Sequence, residues 1–483
     1  MRIAITSFLL LASTALTGWA ITALPYYDDK TGTLMPLVYA TGALWALFAV
    51  SLLAVHRVPR RASVVLVLVG AVALGGAALA GPPNTSTDSA RYAWDGIVQN
   101  AGISPYDHVP SDPALTDLRP EWLFPAPVAQ ADGSLTCEGA RIMTVKEPGT
   151  GDVLCTAINR ANVPTIYPPS SELVFAGVRL LTGPEPEYWP MQVAGLAMSL
   201  GITLLLLRTL AVTGRDPRWA ALWAWSPLAA TEGVTNSHID ILGGLLILVA
   251  TILVASGRRW RGSIALGAAI AVKLIPVIAA PALLKCQGWK IVVGSMAAFL
   301  ALYIPYIITS GIDVLGYLPG YLTEEGYSSG SRFIMLSLVA PGPAALVLAA
   351  VLIAVTGALV WWKTDPADPW LGQLVMIGAT LLIVTPRYPW YALLLVPVIA
   401  MTGRWGWLAV PLALTERLLI PSVDLARISV SCAIVIIVVM SFRRAGPGSV
   451  RRLGAWLRHP LDPFPRAPEA KNTGIPGFSP STT

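Results

Sequence analysis

Charge is what this sequence has least of. Only 12% of its 483 residues are Asp, Glu, Lys or Arg, whereas 55% are hydrophobic, and mean hydropathy is +0.64. A chain this poor in charge is not a soluble globular protein. Histidine and cysteine are equally scarce, at four each. His238 and Asp240, two apart, are no convincing metal pair, and no Cys or Glu completes a ligand set. The two halves show no inverted repeat of the kind transporters carry, and no nucleic-acid-binding module is visible. The net charge of +6 therefore reflects arginines gathered in short loops and a basic tail.

What the chain does have is apolar runs from end to end, several of about 20 residues, the length that crosses about 30 Å of hydrocarbon. The fold class expected is an all-α polytopic membrane protein. The first run, 3–24, follows Arg2 and lacks a convincing cleavage site after it, so it reads as an uncleaved helix rather than a signal peptide. Further spans are expected near 35–55, 62–81, 187–209, after Trp219, and at 239–256, 291–310, 343–362, 370–386, 389–402, 405–420 and 428–442. Lys273 and Pro276 interrupt 262–284, which begins and ends beside basic residues, so a re-entrant pair of half-helices is expected there. The count is about 12 spans plus one hairpin. Arginine clusters at 56–61, 215–218, 258–261 and 443–458 then all fall on one side, which the positive-inside rule makes the cytoplasm. This divides the chain into an N-terminal hairpin (1–61), a transmembrane catalytic domain (62–442) and a basic, disordered tail (443–483).

Alternation places the loop 82–186 outside, where acidic residues outnumber basic ones two to one. Carboxylates this close to hydrocarbon are costly and are normally kept for chemistry. Asp88, in Asp88-Ser-Ala-Arg-Tyr-Ala-Trp-Asp95, is either an N-cap or a general base that takes a proton from an acceptor hydroxyl. Asp95, two turns on, either positions the acceptor or pairs with Arg91. Residues 94–102 read as a juxtamembrane helix lying in the interface, and Pro168-Pro169 starts another helix. Cys137 and Cys155 both lie in this loop, where a disulfide is plausible. Lys273 needs a counter-charge or must snorkel. Arg387, at an outer helix end, suits bidentate phosphate binding, whereas Trp390 and Tyr391 beside it are equally an interface belt. The loop 311–342, with Tyr317, Tyr321, Glu324, Glu325, Tyr327 and Arg332, is either a mobile cover with sugar-stacking aromatics or an ordinary exposed loop.

The series Asp-x-x-Arg-Tyr-x-Trp-Asp-Gly, then Gly102-Ile-Ser-Pro-Tyr106, then Thr165-Ile-Tyr-Pro-Pro169 resembles the first outer loop of GT-C superfamily glycosyltransferases. It looks most like the actinobacterial polyprenyl-phosphate-mannose-dependent mannosyltransferases of phosphatidylinositol mannoside and lipomannan assembly. The likeness runs loosely from about 62 to 400. The extra hairpin before it and the long 107–163 excursion depart from the pattern. The resemblance implies a GT-C fold with a large first extracytoplasmic catalytic loop and Asp88 as catalytic base. Lys273, Arg387 and Tyr388 would bind the donor phosphate. Arg91, Tyr92, Asp95, Tyr167, His238, Trp390 and Tyr391 would line the substrate site.

The function expected is an inverting transfer of a sugar, mannose by that resemblance, from a polyprenyl monophosphate to a hydroxyl of a lipid or glycan acceptor. Arabinose and glucose donors are alternatives, and a lipid-linked-sugar flippase is the alternative of a different class. The partners implied are the lipid-linked donor, the acceptor and membrane lipids, with no nucleic acid. No metal or other cofactor is called for. The localisation expected is the cell membrane, with the site facing the extracytoplasmic side.

Overall fold

In the computed structural model, residues 1–26 and 34–446 are described. The expected tail 443–483 lies outside them from residue 447 on, with Arg451, Arg452 and Arg458, while Arg443 and Arg444 fall in the last helix. The chain is an all-α polytopic membrane protein whose helices are α1 Arg2–Ala23, α2 Met35–Val55, α3 Arg60–Ala77, α4 Asp88–Asn100, α5 Pro169–Thr182, α6 Trp189–Val212, α7 Ala221–Ala224 and α8 Asp240–Ala255. They continue as α9 Arg259–Ile270, α10 Gly288–Ser310, α11 Leu318–Glu324, α12 Ala344–Lys363, α13 Trp370–Val384, α14 Val396–Thr402, α15 Ala409–Leu419 and α16 Val423–Ala445. Pro36 and Pro190 open α2 and α6, where a missing N–H costs nothing. On α1, Thr6, Leu10, Ser13, Thr17 and Ile21 turn inward at helical spacing, while Phe8 and Leu11 stay exposed. A face that is apolar yet exposed is what hydrocarbon tolerates.

Among the described residues, seven helical stretches are long and apolar enough to cross a bilayer: α1, α2, α3, α6, Gly288–Glu324, α12 and α16. A π-helical turn Ala229–Thr235 and α8, bent by 112° against each other, make an eighth if counted as one span. The twelve spans expected are thus not reproduced, because the remaining apolar runs are broken into short pieces. The stretch after Trp219 becomes α7 and the π turn. The run 370–420 becomes α13, the 3₁₀ segment Pro389–Leu394, α14, Trp405–Leu408 and α15, with Pro389, Pro397 and Pro411 each removing a donor. Such backbone is stable at membrane depth only where protein or a polar cavity surrounds it.

The re-entrant hairpin is present. α9 stops at Ile270, the chain passes through Lys273, and it returns as the 3₁₀ segment Ile275–Leu283. The two ends meet again: the Arg259 guanidinium donates to the carbonyls of Lys285 (3.2 Å) and Cys286. The basic turns share one end of the molecule. Arg218 Nε donates to Val58 O (3.0 Å), Arg215 pairs with Asp368 (2.6 Å), and Lys285 Nζ reaches Trp362 O (2.8 Å).

The excursion between α4 and α5 folds on itself. It carries two antiparallel hairpins, β1 Val128–Ala129 with β2 Leu135–Thr136, and β3 Met143–Lys146 with β4 Val153–Thr156. A disulfide joins Cys137 and Cys155, tying one hairpin to the other. Beneath them Trp94, Leu115, Leu123, Phe124 and Ile158 form a separate small core. The helix expected to lie in the interface starts six residues earlier than its expected Trp94 and is enclosed rather than surface-lying, with every side chain from Ser89 to Val98 buried. Gly96 permits this: a Cβ there would meet Phe175 O at 2.3 Å, so α4 packs backbone-to-backbone on α5.

Breaking the Cys137–Cys155 bridge should loosen this excursion without unfolding the membrane helices. Closing a loop of this size constrains the unfolded chain by about 3 kcal/mol in the chain-entropy model. A Cys137→Ser/Cys155→Ser variant should therefore be cleaved faster by protease between β1 and β4 while its detergent-solubilised helix content is unchanged. Equal cleavage rates in the two proteins would count against that account.

Candidate active site

A cavity of about 1000 Å³ opens between the excursion, the re-entrant hairpin, α10 and the Arg387–Tyr391 break. Asp88, Arg160, Lys273 and Arg387 line its polar part, and Phe299, Leu300, Ile307, Ile312 and Leu315 its apolar part.

Asp88 is the first residue of α4, yet its carboxylate caps no backbone N–H; Ser86 Oγ accepts from Asp88 N instead (3.2 Å). The N-cap reading is thereby set aside. Asp88 Oδ1 accepts from Asn159 Nδ2 (3.0 Å), Oδ2 lies 3.6 Å from His238 Nδ1, and 17% of the side chain remains exposed to the cavity. No cation is paired to it among the described residues, so one side is available to a ligand.

Lys273 sits at the break of the re-entrant hairpin, and its ammonium donates to Asp240 Oδ2 (2.5 Å). It also faces the rings of Tyr167 and Tyr391 at 5.9 and 5.3 Å. Its counter-charge is thus supplied from the first turn of α8, and snorkelling is not its solution. Arg387 is exposed at the cavity edge near the Tyr388 ring (5.9 Å) and forms no ion pair among the described residues. Tyr388 and Trp390 stack at 4.3 Å, and Trp390 stacks in turn on His238 at 3.8 Å. Tyr167 and Tyr391 also line the cavity.

Four expected substrate contacts are placed otherwise. His238 is fully buried against Trp390 and does not line the cavity. Tyr92 is wholly buried, stacked on Phe175 (4.5 Å) and edge-on to Tyr167 (5.0 Å), so it supports the site from behind. Asp95 is buried as well, taken up by Arg91 Nε at 2.7 Å. Arg91 reaches the cavity edge, but its guanidinium is committed to Asp95 and to Val163 O (2.9 Å). A helical pair at this spacing faces itself before it faces a ligand.

Residues overlooked in the sequence complete the site. Arg160 lines the cavity, pairs with Glu324 at 2.9 Å and lies over the Tyr321 ring. Glu172 in α5 accepts from Thr165 Oγ1 and Gln99 Nε2, both at 2.7 Å. Burial pushes its carboxyl well above the usual range and the nearby Asp95 charge adds to this, while burial also raises Asp95 against the pull of Arg91. The signals for these residues are long-range: Arg160 and Glu324 stand 164 positions apart. The segment 311–342 covers the cavity rather than hanging free. Tyr321 Oη contacts Tyr391 Oη at 2.9 Å, and Tyr317 N donates to Thr165 O at 3.2 Å. Gly316 allows this approach, with φ of 53° and no room for a Cβ beside Thr165 O.

Residues 165–386 match glycosyltransferase family 87. The chain is also similar to the polyprenol-phosphate-mannose-dependent alpha-(1-2)-phosphatidylinositol pentamannoside mannosyltransferase of Mycolicibacterium smegmatis, 24% identical over 282 residues, 52% of this chain and 67% of the relative. The protein of the same description from Mycobacterium tuberculosis is 26% identical over 307 residues, 60% of this chain and 67% of the relative. No solved structure matches. These likenesses bear out the resemblance carried by the outer-loop motifs. The family match begins at Thr165 and so does not include Asp88.

Two outcomes follow from the buried charges. Lys273→Ala leaves Asp240 buried and unpaired, a change worth about 3–5 kcal/mol, so the single variant should be poorly folded. Adding Asp240→Asn should restore detergent-resistant folding but not activity; a double variant with wild-type turnover would make the pair purely structural. Glu172, with its folded pKa raised, contributes stability that is full below about pH 4.3 and lost as pH climbs through the folded value. Glu172→Gln should therefore lose less stability than the wild type as pH rises above about 5 in thermal melts; parallel curves would refute the raised carboxyl.

Proposed function

We propose that the chain is a glycosyltransferase that moves a mannosyl group from a polyprenyl monophosphate to a hydroxyl of a lipid or glycan acceptor, with inversion, on the extracytoplasmic face. The carrying observation is Asp88: a carboxylate with no Lys or Arg paired to it among the described residues, open to a cavity that is basic on one side and apolar on another. Both mycobacterial relatives are described as polyprenol-phosphate-mannose-dependent, which supports the donor class. Their phosphatidylinositol pentamannoside makes a phosphatidylinositol mannoside the first acceptor to test. The clustering of the arginine turns at one end supports the orientation, because those turns are expected to stay in the cytoplasm.

The chemistry needs a base, an electrophile and a leaving group that can bear charge. The acceptor oxygen attacks the anomeric carbon as the bond from that carbon to the phosphate oxygen breaks, and Asp88 receives the hydroxyl proton. Polyprenyl phosphate departs with one more negative charge, which Lys273 and Arg387 stabilise from two sides, with Tyr388 beside Arg387. Arg160 adds a third positive charge to the same wall. Tyr167 and Tyr391 line the sugar end of the cavity, and Trp390, covered by Tyr388 and His238, backs it. The apolar wall of α10 and residues 312–322 accepts the start of the prenyl chain. Arabinose or glucose donors would use the same phosphate contacts. A flippase would need no cation-free carboxylate, so the enzymatic reading is the one the site favours.

Purified protein given polyprenyl-phosphate-mannose and a phosphatidylinositol mannoside should yield a product heavier by one hexose, in mass analysis, with an α linkage by NMR. Asp88→Asn should fold and bind donor but turn over about 10²- to 10⁴-fold more slowly. Arg387→Lys should recover only part of what Arg387→Ala loses, since an ammonium lacks the planar fork. An Asp88→Asn enzyme at near wild-type rate would move the base to another carboxylate.

A further inference from the structure

His238 is a fully enclosed polar side chain beside the cavity. It is 0% exposed, and neither ring nitrogen has a hydrogen-bond partner. Each nitrogen nonetheless faces a carboxylate: Nδ1 is 3.6 Å from Asp88 Oδ2, and Nε2 is 3.4 Å from Glu232 Oε2. A buried donor and acceptor left this far short of bonding is costly. Catalytic hydrogen bonds are often long before substrate arrives and tighten in the reacting complex. The ring is held flat by Trp390, stacked at 3.8 Å and 22°, so it can slide toward either carboxylate but not turn away.

The backbone that carries these groups is distorted. Glu232 lies in the π turn Ala229–Thr235, Ser237 has φ of 49°, and the chain then bends by 112° into α8. π turns and left-handed non-glycine residues gather at functional sites. Here the distortion has an evident product: His238 N donates to Glu232 O at 2.9 Å, which brings the two side chains together. Gly195 makes room, since a Cβ there would meet Gly233 O at 2.2 Å. Glu232 is fixed by Asn236 Nδ2 (2.9 Å), and Asn236 Oδ1 accepts from the N–H groups of Asn84 (2.8 Å) and Thr85 (3.2 Å), four and three residues before Asp88. One asparagine thus sets both ends of the row Asp88–His238–Glu232. The two carboxylates lie on opposite edges of one ring, so they do not converge on a single ion.

We propose that His238, backed by Glu232, is a positioning and proton-relay residue for Asp88; this rests on the reading of Asp88 as the base. Neutral His238 directs its Nε2–H at ionised Glu232 and leaves Nδ1 to accept. When the acceptor oxygen bonds to the anomeric carbon and the phosphate leaves, the hydroxyl proton passes to Asp88 and then to Nδ1. The resulting imidazolium lies between two carboxylates, and Asp88 is again ionised. When product leaves, the proton returns through Asp88 to the open cavity. One proton moves, and nothing is oxidised or reduced. Behind Glu232 a small apolar-walled pocket is closed by Thr17, Ile21, Leu44 and Trp45 of α1 and α2. That assigns the extra N-terminal hairpin a use: it shields the far end of the row.

The test is a pH–rate series with polyprenyl-phosphate-mannose as donor and a phosphatidylinositol mannoside as acceptor. Other groups whose charges are felt by Asp88 are Arg160, Lys273, Tyr167, Tyr92 and Tyr388, with Asp240 held by Lys273; all are unaltered across the series. His238→Ala should lower kcat about 10²-fold with donor KM unchanged, and added imidazole should restore part of the rate. Glu232→Gln removes the charge that stabilises the imidazolium, so the acid limb of kcat should move to lower pH. That second variant keeps the test open if His238→Ala does not fold. A wild-type kcat in His238→Ala, or a loss without imidazole rescue together with an unmoved limb in Glu232→Gln, overturns the relay. Asp88→Asn should be inactive and deaf to imidazole; an active Asp88→Asn would instead overturn the underlying assignment of the base.

Discussion

The ion pair between Lys273 and Asp240 joins the two broken segments of this protein. One is the re-entrant hairpin of α9 and Ile275–Leu283; the other is the π turn and α8. Neither can stand alone at membrane depth, because each exposes backbone groups that hydrocarbon cannot satisfy. Paired, they enclose the floor of a polar cavity, and the charges that would be costly apart become neighbours within one wall. Asp240 then holds the ammonium where a phosphate can use it, and the bend beside it sets His238 against Asp88.

Over this floor the excursion supplies the roof. α4 and α5 pack closely through Gly96, and the buried Arg91–Asp95 pair with Glu172 fixes the loop strands that carry Asn159, Arg160 and Tyr167. Residues 311–327 close the side by contacts to Thr165, Arg160 and Tyr391. The polar end of the cavity is therefore built by loops on rigid helices, and its apolar end by α10. This division matches a donor with a charged head and a prenyl tail.

The outer-loop motif was informative because its spacing is local. Asp88, Lys273 and Arg387 could be selected one by one, each a charge beside an apolar run, Tyr167 came from the resemblance, and all of them meet at one cavity with Trp390. The same local logic overreached for Tyr92 and Asp95. The resemblance supplied Tyr92 and helical periodicity put Asp95 on a face with Asp88, but Tyr92 packs against Phe175 and Asp95 takes its alternative, the pair with Arg91. Glu232, Asn159, Arg160 and Glu172 carried no local signal. Glu232 lies in an apolar stretch that reads as an ordinary span, and only the bend at its end reveals what it faces.

By itself the sequence determined the class of protein, the re-entrant break and the reach of the acidic loop, because these depend on hydrocarbon thickness, charge cost and proline geometry, which act within a few residues. The resemblance it carries to mannosyltransferases rests on short motifs of the same kind. Tertiary structure alone decided how many apolar runs are continuous helices, which acidic groups pair, and that Asp88 has no Lys or Arg paired to it among the described residues. Those outcomes depend on contacts between positions up to 164 residues apart, where burial leaves each charge to the nearest partner that the packing happens to bring.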